Sequence, residues 1–195
     1  IFAKEVIKDK PGATIISDVK ASNKIFKEIK KAGGKPLMWK TGHSFIKEKM
    51  IQTKALLAGE MSGHIFFSDK YYGYDDALYA SVRLLKILSE KNIIKKILKP
   101  FSNLISTPEI KIFCEDKIKF NVIKKCKDEI LKKYPDVNTI DGIRVSTNKG
   151  WWLLRASNTQ PALVARCEAE NQSDLNSLIL DVKNLLNKYD VKNNL

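Results

Sequence analysis

The sequence predicts a chain of the α/β class: a mixed-sheet α/β sandwich domain followed by an α+β domain with an antiparallel four-stranded sheet and two helices. Three observations carry that expectation. From Ala13 to Phe67, short apolar runs alternate with segments of helical period, the pattern of parallel strands joined by right-handed crossovers. Past Pro100, Asn103 and Pro108 the pattern changes to strands punctuated by the turn signals Asp141-Gly142 and Asn148-Lys149-Gly150. A length of 195 residues, with 44% apolar and 29% charged, suffices for one or two domains that each bury a core.

Taken in order, Ala13 to Val19 is apolar and β-branched enough for a buried strand. Ser22 caps a helix whose Ile25, Phe26 and Ile29 share a face, and Gly33-Gly34 stops it. Lys35 to Trp39 is the next strand. Thr41-Gly42-His43-Ser44 turns into a helix running to about Lys54, and Ala55 to Ala58 is a third strand, with Ile65 to Phe67 apolar again after a polar loop. Asp75-Asp76 open a helix as N-terminal acids rather than metal ligands, and place Leu78, Val82, Leu85 and Leu88 at core spacing. A linker belongs near Ser102 to Pro108. Glu109 to Cys114 then alternates like a half-buried strand, and Asp116 starts a helix with Ile118, Val122, Ile123, Cys126 and Ile130 inward. Thr139-Ile140 and Ile143 to Ser146 flank one hairpin signal, Trp151 to Arg155 follows the next, and Ala162 to Ala169 makes a further strand. Ser173 caps a last helix with Leu175, Leu178, Ile179, Val182, Leu185 and Leu186 on one face.

Composition narrows the partners. No apolar stretch approaches the roughly 18 residues of a membrane span and no signal-peptide pattern opens the chain, so the expected location is the cytoplasm, with no membrane partner. Ile1 in place of methionine is not the start expected of a native chain. Cys114, Cys126 and Cys167 are odd in number and widely spaced among apolar or helical patterns, which points to reduced buried thiols rather than disulfides or zinc. The net charge of +13 invites nucleic acid, but only four of the 35 basic residues are arginines and the lysines are scattered without a stripe or interleaved aromatics. Scattered lysine suits a solvated surface, and its diffuse field attracts any phosphorylated small molecule.

The stretch Gly59-Glu60-Met61-Ser62-Gly63-His64 packs an acceptor, a hydroxyl and an imidazole between two glycines that allow close backbone approach. Vicinal sugar hydroxyls, which donate and accept, suit such a set; a plain polar turn between strands is the competing reading. The chain's two histidines, His43 and His64, both fall in glycine-flanked loops after strands, where open α/β sheets bind ligands. Either imidazole could exchange a proton with a hydroxyl, against the alternative of a satisfied structural histidine. Arg155, Ser157, Asn158 and Thr159 offer a guanidinium fork, two hydroxyls and an amide, a phosphate-binding set unless they form a simple hairpin turn with an exposed arginine.

Gly-Glu-Met-Ser-Gly-His, with Lys-Thr-Gly-His at 40 to 43 and Arg-Ala-Ser-Asn-Thr-Gln-Pro at 155 to 161, resembles the α-D-phosphohexomutase family, and the hexapeptide resembles that of its phosphomannomutase/phosphoglucomutase branch. The motifs keep the family's order and cover essentially the whole chain, but only the back half of such an enzyme. The resemblance implies a third family domain over 1–104 and a fourth over 105–195. It implies that Glu60, Ser62, Gly63 and His64 read the sugar hydroxyls, and that Arg155, Ser157, Asn158 and Thr159 grip the non-reacting phosphate. It also implies that His43 lies near the reacting hydroxyl as a general acid or base, and that Lys20 contacts substrate, although a surface lysine fits Lys20 equally well.

The implied activity interconverts mannose or glucose 1-phosphate and 6-phosphate through a phosphoserine enzyme and a hexose 1,6-bisphosphate, with Mg2+ to neutralise developing charge. Neither Ser-His-Asn-Pro nor Asp-Gly-Asp-Gly-Asp, the family's phosphoserine and magnesium loops, occurs in this sequence. The Mg2+ ligands are therefore expected in preceding domains, and this portion alone is expected to recognise substrate without turning it over. A noncatalytic module that binds sugar phosphates, or a basic one that meets nucleic acid, is the alternative from another class.

Overall fold

The computed structural model describes residues 1–89, 93–193 and 195, and the chain divides into two compact units, Ile1–Ser102 and Asn103–Leu195. The first unit runs α1 (Phe2–Asp9), β1 (Thr14–Asp18), α2 (Asn23–Lys31), β2 (Lys35–Trp39), α3 (His43–Thr53), β3 (Leu57–Gly59), β4 (Ile65–Phe67), α4 (Ala77–Leu88) and α5 (Ile93–Leu98), then a 3-10 turn over Lys99–Phe101. Its sheet has the order β2-β1-β3-β4, with β1 parallel to both β2 and β3, and β4 antiparallel to β3. This is the mixed sheet expected of the sequence.

Both faces of that sheet are buried, because alternate residues of each strand point to opposite sides. Ile15, Leu57 and Phe67 pack with Val6, Ile7 and Ile29 on one face; Ile16, Ala58 and Phe66 pack with Ile46 and Met50 of α3 on the other. Ser22 caps α2 by accepting from the Lys24 amide at 3.1 Å.

Helix α4 corrects the expectation for its buried face. Leu78, Val82 and Leu85 are 82%, 65% and 66% exposed, Leu88 is also exposed, and the helix buries Arg83 and Ile87 instead. Two stripes of α4 have helical period, and periodicity alone does not say which one turns inward. Here Arg83 decides. Its Nη1 and Nη2 each donate to Asp69 at 3.0 Å, Nε and Nη2 both donate to Glu5 Oε2, and the guanidinium lies 4.4 Å over the ring of Phe67. A buried cation with this many partners anchors the helix, since breaking the network would strand charges away from water.

The second unit runs β5 (Ile105–Ser106), β6 (Ile110–Phe113), α6 (Asp116–Lys133), β7 (Val137–Asn138), β8 (Ile143–Thr147), β9 (Gly150–Ala156), β10 (Ala162–Ala169) and α7 (Gln172–Asn187). The sheet is antiparallel throughout, in the order β5-β10-β9-β8-β7, with β6 pairing further along β10. The four strands expected correspond to β6, β8, β9 and β10, and the two-residue β5 and β7 extend the margins to six. Residues 105–106, expected within a linker, pair with Glu168 and Ala169, and the strand of the first hairpin is Val137–Asn138 rather than 139–140.

Helices α6 and α7 cover one face of this sheet, with Val122, Cys126, Leu178 and Val182 against Val145, Trp152, Leu154 and Cys167. Ile118, expected inward, is 48% exposed, and its neighbour Lys119 is buried in its place. The N-cap of α7 is Asn171, which accepts from the Asp174 amide, rather than Ser173. Among the described residues no helix is long and apolar enough to cross a membrane.

Candidate functional site

In the first unit Lys20, His43 and Glu60 follow the carboxyl ends of the three parallel strands β1, β2 and β3, the edge at which open α/β sheets bind ligands. Lys20 is 5% exposed, with Nζ 3.6 Å from Oδ2 of the buried Asp18, so it is not one of the surface lysines.

The loop after β3 is a closed turn. The Gly63 amide donates to the Glu60 carbonyl at 3.0 Å, the Glu60 amide donates to the His64 carbonyl at 2.9 Å, and Gly63 sits at φ 95°, where a side chain would be strained. The turn leaves Met61 and Ser62 exposed while burying Glu60. Glu60 Oε1 accepts from the Gly42 amide at 2.7 Å, at the N-terminus of α3, where unpaired amides and the helix dipole favour a negative charge. One carboxylate oxygen is thereby held in place.

His43, the first residue of α3, packs edge-on against His64 with ring centroids 4.2 Å apart, and against Phe66 at 5.5 Å. Both histidines meet Asp75: Oδ2 lies 2.7 Å from His64 Nδ1 and 3.3 Å from His43 Nε2. An ionised carboxylate only accepts, so in a neutral His64 ring Nδ1 carries the proton and Nε2 keeps its lone pair. The Ile65 amide donates to Asp75 Oδ1 at 3.3 Å, which fixes the carboxylate against β4. Sequence reasoning missed this role by treating Asp75 and Asp76 alike. Only Asp76 is the N-cap of α4, accepting from the Tyr79 amide at 2.9 Å and from the Tyr71 hydroxyl at 2.6 Å.

One ligand-capable atom each of His43, Glu60 and His64 lies within 4.8 Å of the others. Two imidazoles with one carboxylate do not match Mg2+, which takes octahedral oxygen ligands and retains water. No magnesium chemistry is therefore routed through these residues.

In the second unit Arg155 lies near the end of β9 and is 5% exposed. Its Nε donates to Asp141 Oδ2 at 3.0 Å, while Nη2 is buried without a hydrogen-bond partner among the described residues. The Asp141-Gly142 turn lies directly against this residue: Gly142 has φ 83°, and a Cβ there would stand 2.5 Å from that of Arg155. Asp141, which the sequence marked only as a turn residue, is thus the partner that aims the guanidinium.

The loop beyond Arg155 is braced at its base and open at its tip. The Ser157 amide donates to the Ala162 carbonyl at 2.9 Å, and Ser157 Oγ accepts from the amides of Thr159 and Gln160 at 3.4 and 3.2 Å. With its acceptor capacity engaged, the hydroxyl proton of Ser157 remains to donate to an anion. Lys119 donates to the Gln160 carbonyl at 2.9 Å, an anchor with no signal in the sequence beyond a lysine three residues into a helix. Asn158 and Thr159 are exposed. The structure therefore gathers His43, Glu60 and His64 in the first unit, with Asp75 against the two histidines, and keeps Arg155, Ser157, Asn158 and Thr159 together in one loop of the second.

The three cysteines are free and buried, as expected. Burial pushes the thiols of Cys126 and Cys167 up to about 12 and raises that of Cys114, which keeps all three protonated near neutrality.

Residues 1–107 match the family described as "Phosphoglucomutase/phosphomannomutase, alpha/beta/alpha domain III", and residues 109–185 match its "C-terminal domain". The chain is 49% identical over 176 residues to a phosphomannomutase/phosphoglucomutase of Pseudomonas syringae pv. tomato, covering 90% of this chain and 38% of that protein. It is 44% identical over 191 residues to that of Pseudomonas aeruginosa, covering 97% of this chain and 41% of the relative. The crystal structure of a phosphoglucomutase/phosphomannomutase family protein from Burkholderia thailandensis superposes with a TM-score of 0.87 at 41% identity, over all of this chain and 41% of that one. The chain thus spans about two fifths of the length of these relatives.

Proposed function

The chain belongs to the α-D-phosphohexomutase family, carrying its third and C-terminal domains, and from that membership we propose that the whole protein is a phosphomannomutase/phosphoglucomutase. It interconverts hexose 1-phosphate and hexose 6-phosphate through a phosphoserine enzyme and a hexose 1,6-bisphosphate. The observation that carries the reading is the grouping of Glu60, His43 and His64 at the carboxyl edge of three parallel strands.

In this reading residues 1–104 form the sugar-reading domain. The fixed Glu60 carboxylate accepts from sugar hydroxyls, Ser62 and the backbone at Gly63 complete the turn that faces them, and His64, its Nδ1–H given to Asp75, accepts through Nε2. A set of short polar groups rather than one shaped slot suits a substrate that must be read in two orientations. Lys20, held beside Asp18, supplies a positive charge at the same strand edge. His43, half-exposed beside the Asp75 carboxylate, takes or gives the proton of the reacting hydroxyl.

Residues 105–195 form the phosphate-gripping domain. Arg155, aimed by Asp141, presents guanidinium N–H groups in a nearly dry setting, where a phosphate oxygen replaces lost water. Ser157, Asn158 and Thr159 supply the remaining donors. Mg2+, bound through preceding domains, would supply neutralisation of charge as phosphate moves. With the phosphoserine also contributed by those domains, the portion described here recognises substrate and is inactive alone. The same proposal places the protein in the cytoplasm and gives it hexose phosphates, rather than nucleic acid or membrane, as partners.

The test is phosphohexomutase activity on mannose 1-phosphate and glucose 1-phosphate with magnesium, using the full-length gene product and the 195-residue chain. Activity in the full-length protein alone, abolished by Arg155→Ala or His43→Ala, is the expected result. Silence of the full-length protein on both sugars would overturn the assignment in favour of a binding module.

A further inference from the structure

We propose that His43, Glu60 and His64 form a binding site for a borderline divalent cation of the zinc, cobalt and nickel class. Three features beyond the grouping of the side chains support it. First, Asp75 accepts from His64 Nδ1 at 2.7 Å, the outer carboxylate that orients a metal-binding imidazole and leaves Nε2 as the ligand atom. Second, Glu60 is buried and held through Oε1 by the Gly42 amide, so its carboxylate is already fixed within the group. Third, the two carboxylates, Glu60 and Asp75, match the charge of a dication that would otherwise be repelled by a chain of net charge +13.

The separation of up to 4.8 Å between ligand atoms is wider than the roughly 3.4 Å that tetrahedral coordination at about 2.1 Å requires. The His43 ring closes that gap by rotation while His64 keeps its bond to Asp75: 46% of the His43 side chain is accessible, and its Nε2 lies 3.3 Å from Asp75 without the short hydrogen bond that holds His64. Three protein ligands leave a fourth position for water, as in open zinc sites. Imidazole selects zinc, cobalt and nickel over magnesium. Among the ordinary competitors, the three cysteines are buried with raised thiols and offer no thiolate.

The experiment titrates the tag-free 195-residue chain with Co2+, read by visible d–d absorption, and with Zn2+, read by calorimetry. Neither involves a sugar, so the result stands whether or not the sugar-reading assignment holds. One ion per chain is expected. Affinity should fall at least tenfold in His64→Gln and in Glu60→Gln, fall about ten- to hundredfold in Asp75→Asn, and stay unchanged in Arg155→Ala and under millimolar Mg2+. Circular dichroism checks the fold of each variant, and His43→Gln, at a largely exposed ring, substitutes for any that fails it. Absence of stoichiometric binding, binding that survives in the His43→Gln/His64→Gln double variant, or displacement by Mg2+ would each overturn the site.

Discussion

A single oxygen of Asp75 ties His64 to its neighbour His43, lying 2.7 Å from Nδ1 of the first ring and 3.3 Å from Nε2 of the second. The Asp75 hydrogen bond sets the tautomer of His64, and the His43 ring packs edge to face against it. Asp75→Asn loses the charge and keeps one acceptor oxygen where the carboxylate uses two, Oδ2 facing the rings and Oδ1 the Ile65 amide. On the proposed mutase reading, kcat of the full-length protein should fall by on the order of a hundredfold, the lower end of what general acid–base catalysis contributes, with KM little changed. Steady-state kinetics check this; an unchanged kcat would remove Asp75 from the catalytic arrangement.

Arg155→Lys retains the charge but removes the planar fork and the Nε donation to Asp141. The loss of a charge-assisted hydrogen bond, about 1.5–3 kcal/mol, corresponds to a fall in kcat/KM of roughly ten- to hundredfold, carried mainly by KM. Gly142→Ala should act in the same direction without touching a donor, since its Cβ would displace the Arg155 backbone. Kinetics of both variants in the full-length protein test whether the turn aims the arginine.

Much of this fold was legible because local signals agreed with burial. Ala162–Ala169 is apolar with a turn before it and became the longest strand; Gly33 and Gly63 sit at the positive φ their positions required. The illegible parts depend on distant partners. The inward face of α4 is chosen by Arg83 finding Glu5, 78 positions earlier, and Asp75 differs from Asp76 only through histidines brought back by β4. Local pattern contains neither fact. The motifs named the loop residues, but not the side chains that hold them: Asp75, Asp141 and Lys119.

The exposed stripe of α4 makes this testable. Since Leu78, Val82 and Leu85 lie 65–82% exposed, the triple substitution to glutamate should leave the thermal midpoint of the 195-residue chain nearly unchanged, at no more than about 0.5 kcal/mol per site. Were the stripe a core face, each leucine alone would cost about 2–5 kcal/mol. Thermal denaturation followed by circular dichroism separates the two cases.

Buried, raised thiols predict chemical silence. With Cys126 and Cys167 pushed up to about 12, Ellman's reagent at mildly alkaline pH should find no reactive group in the folded chain and three after unfolding in guanidinium. Prompt reaction of even one thiol in the native state would show that its surroundings open readily.

The start of α4 should contribute to acid sensitivity. The hydroxyl of Tyr71, with the amide of Tyr79 behind it, holds the Asp76 carboxyl below its ordinary value of 3.8. A group whose folded pKa is depressed contributes stability that is complete above its unfolded pKa and lost as pH falls through the folded one. Asp76→Asn retains an acceptor for the cap but has no charge to lose. The wild-type chain should therefore have the higher thermal midpoint at neutral pH, and its advantage should shrink steadily as pH falls from about 5 through the folded pKa. Melting curves across that range read the difference directly. A gap that stays constant with pH would mean that the ionised form of Asp76 gains nothing from folding.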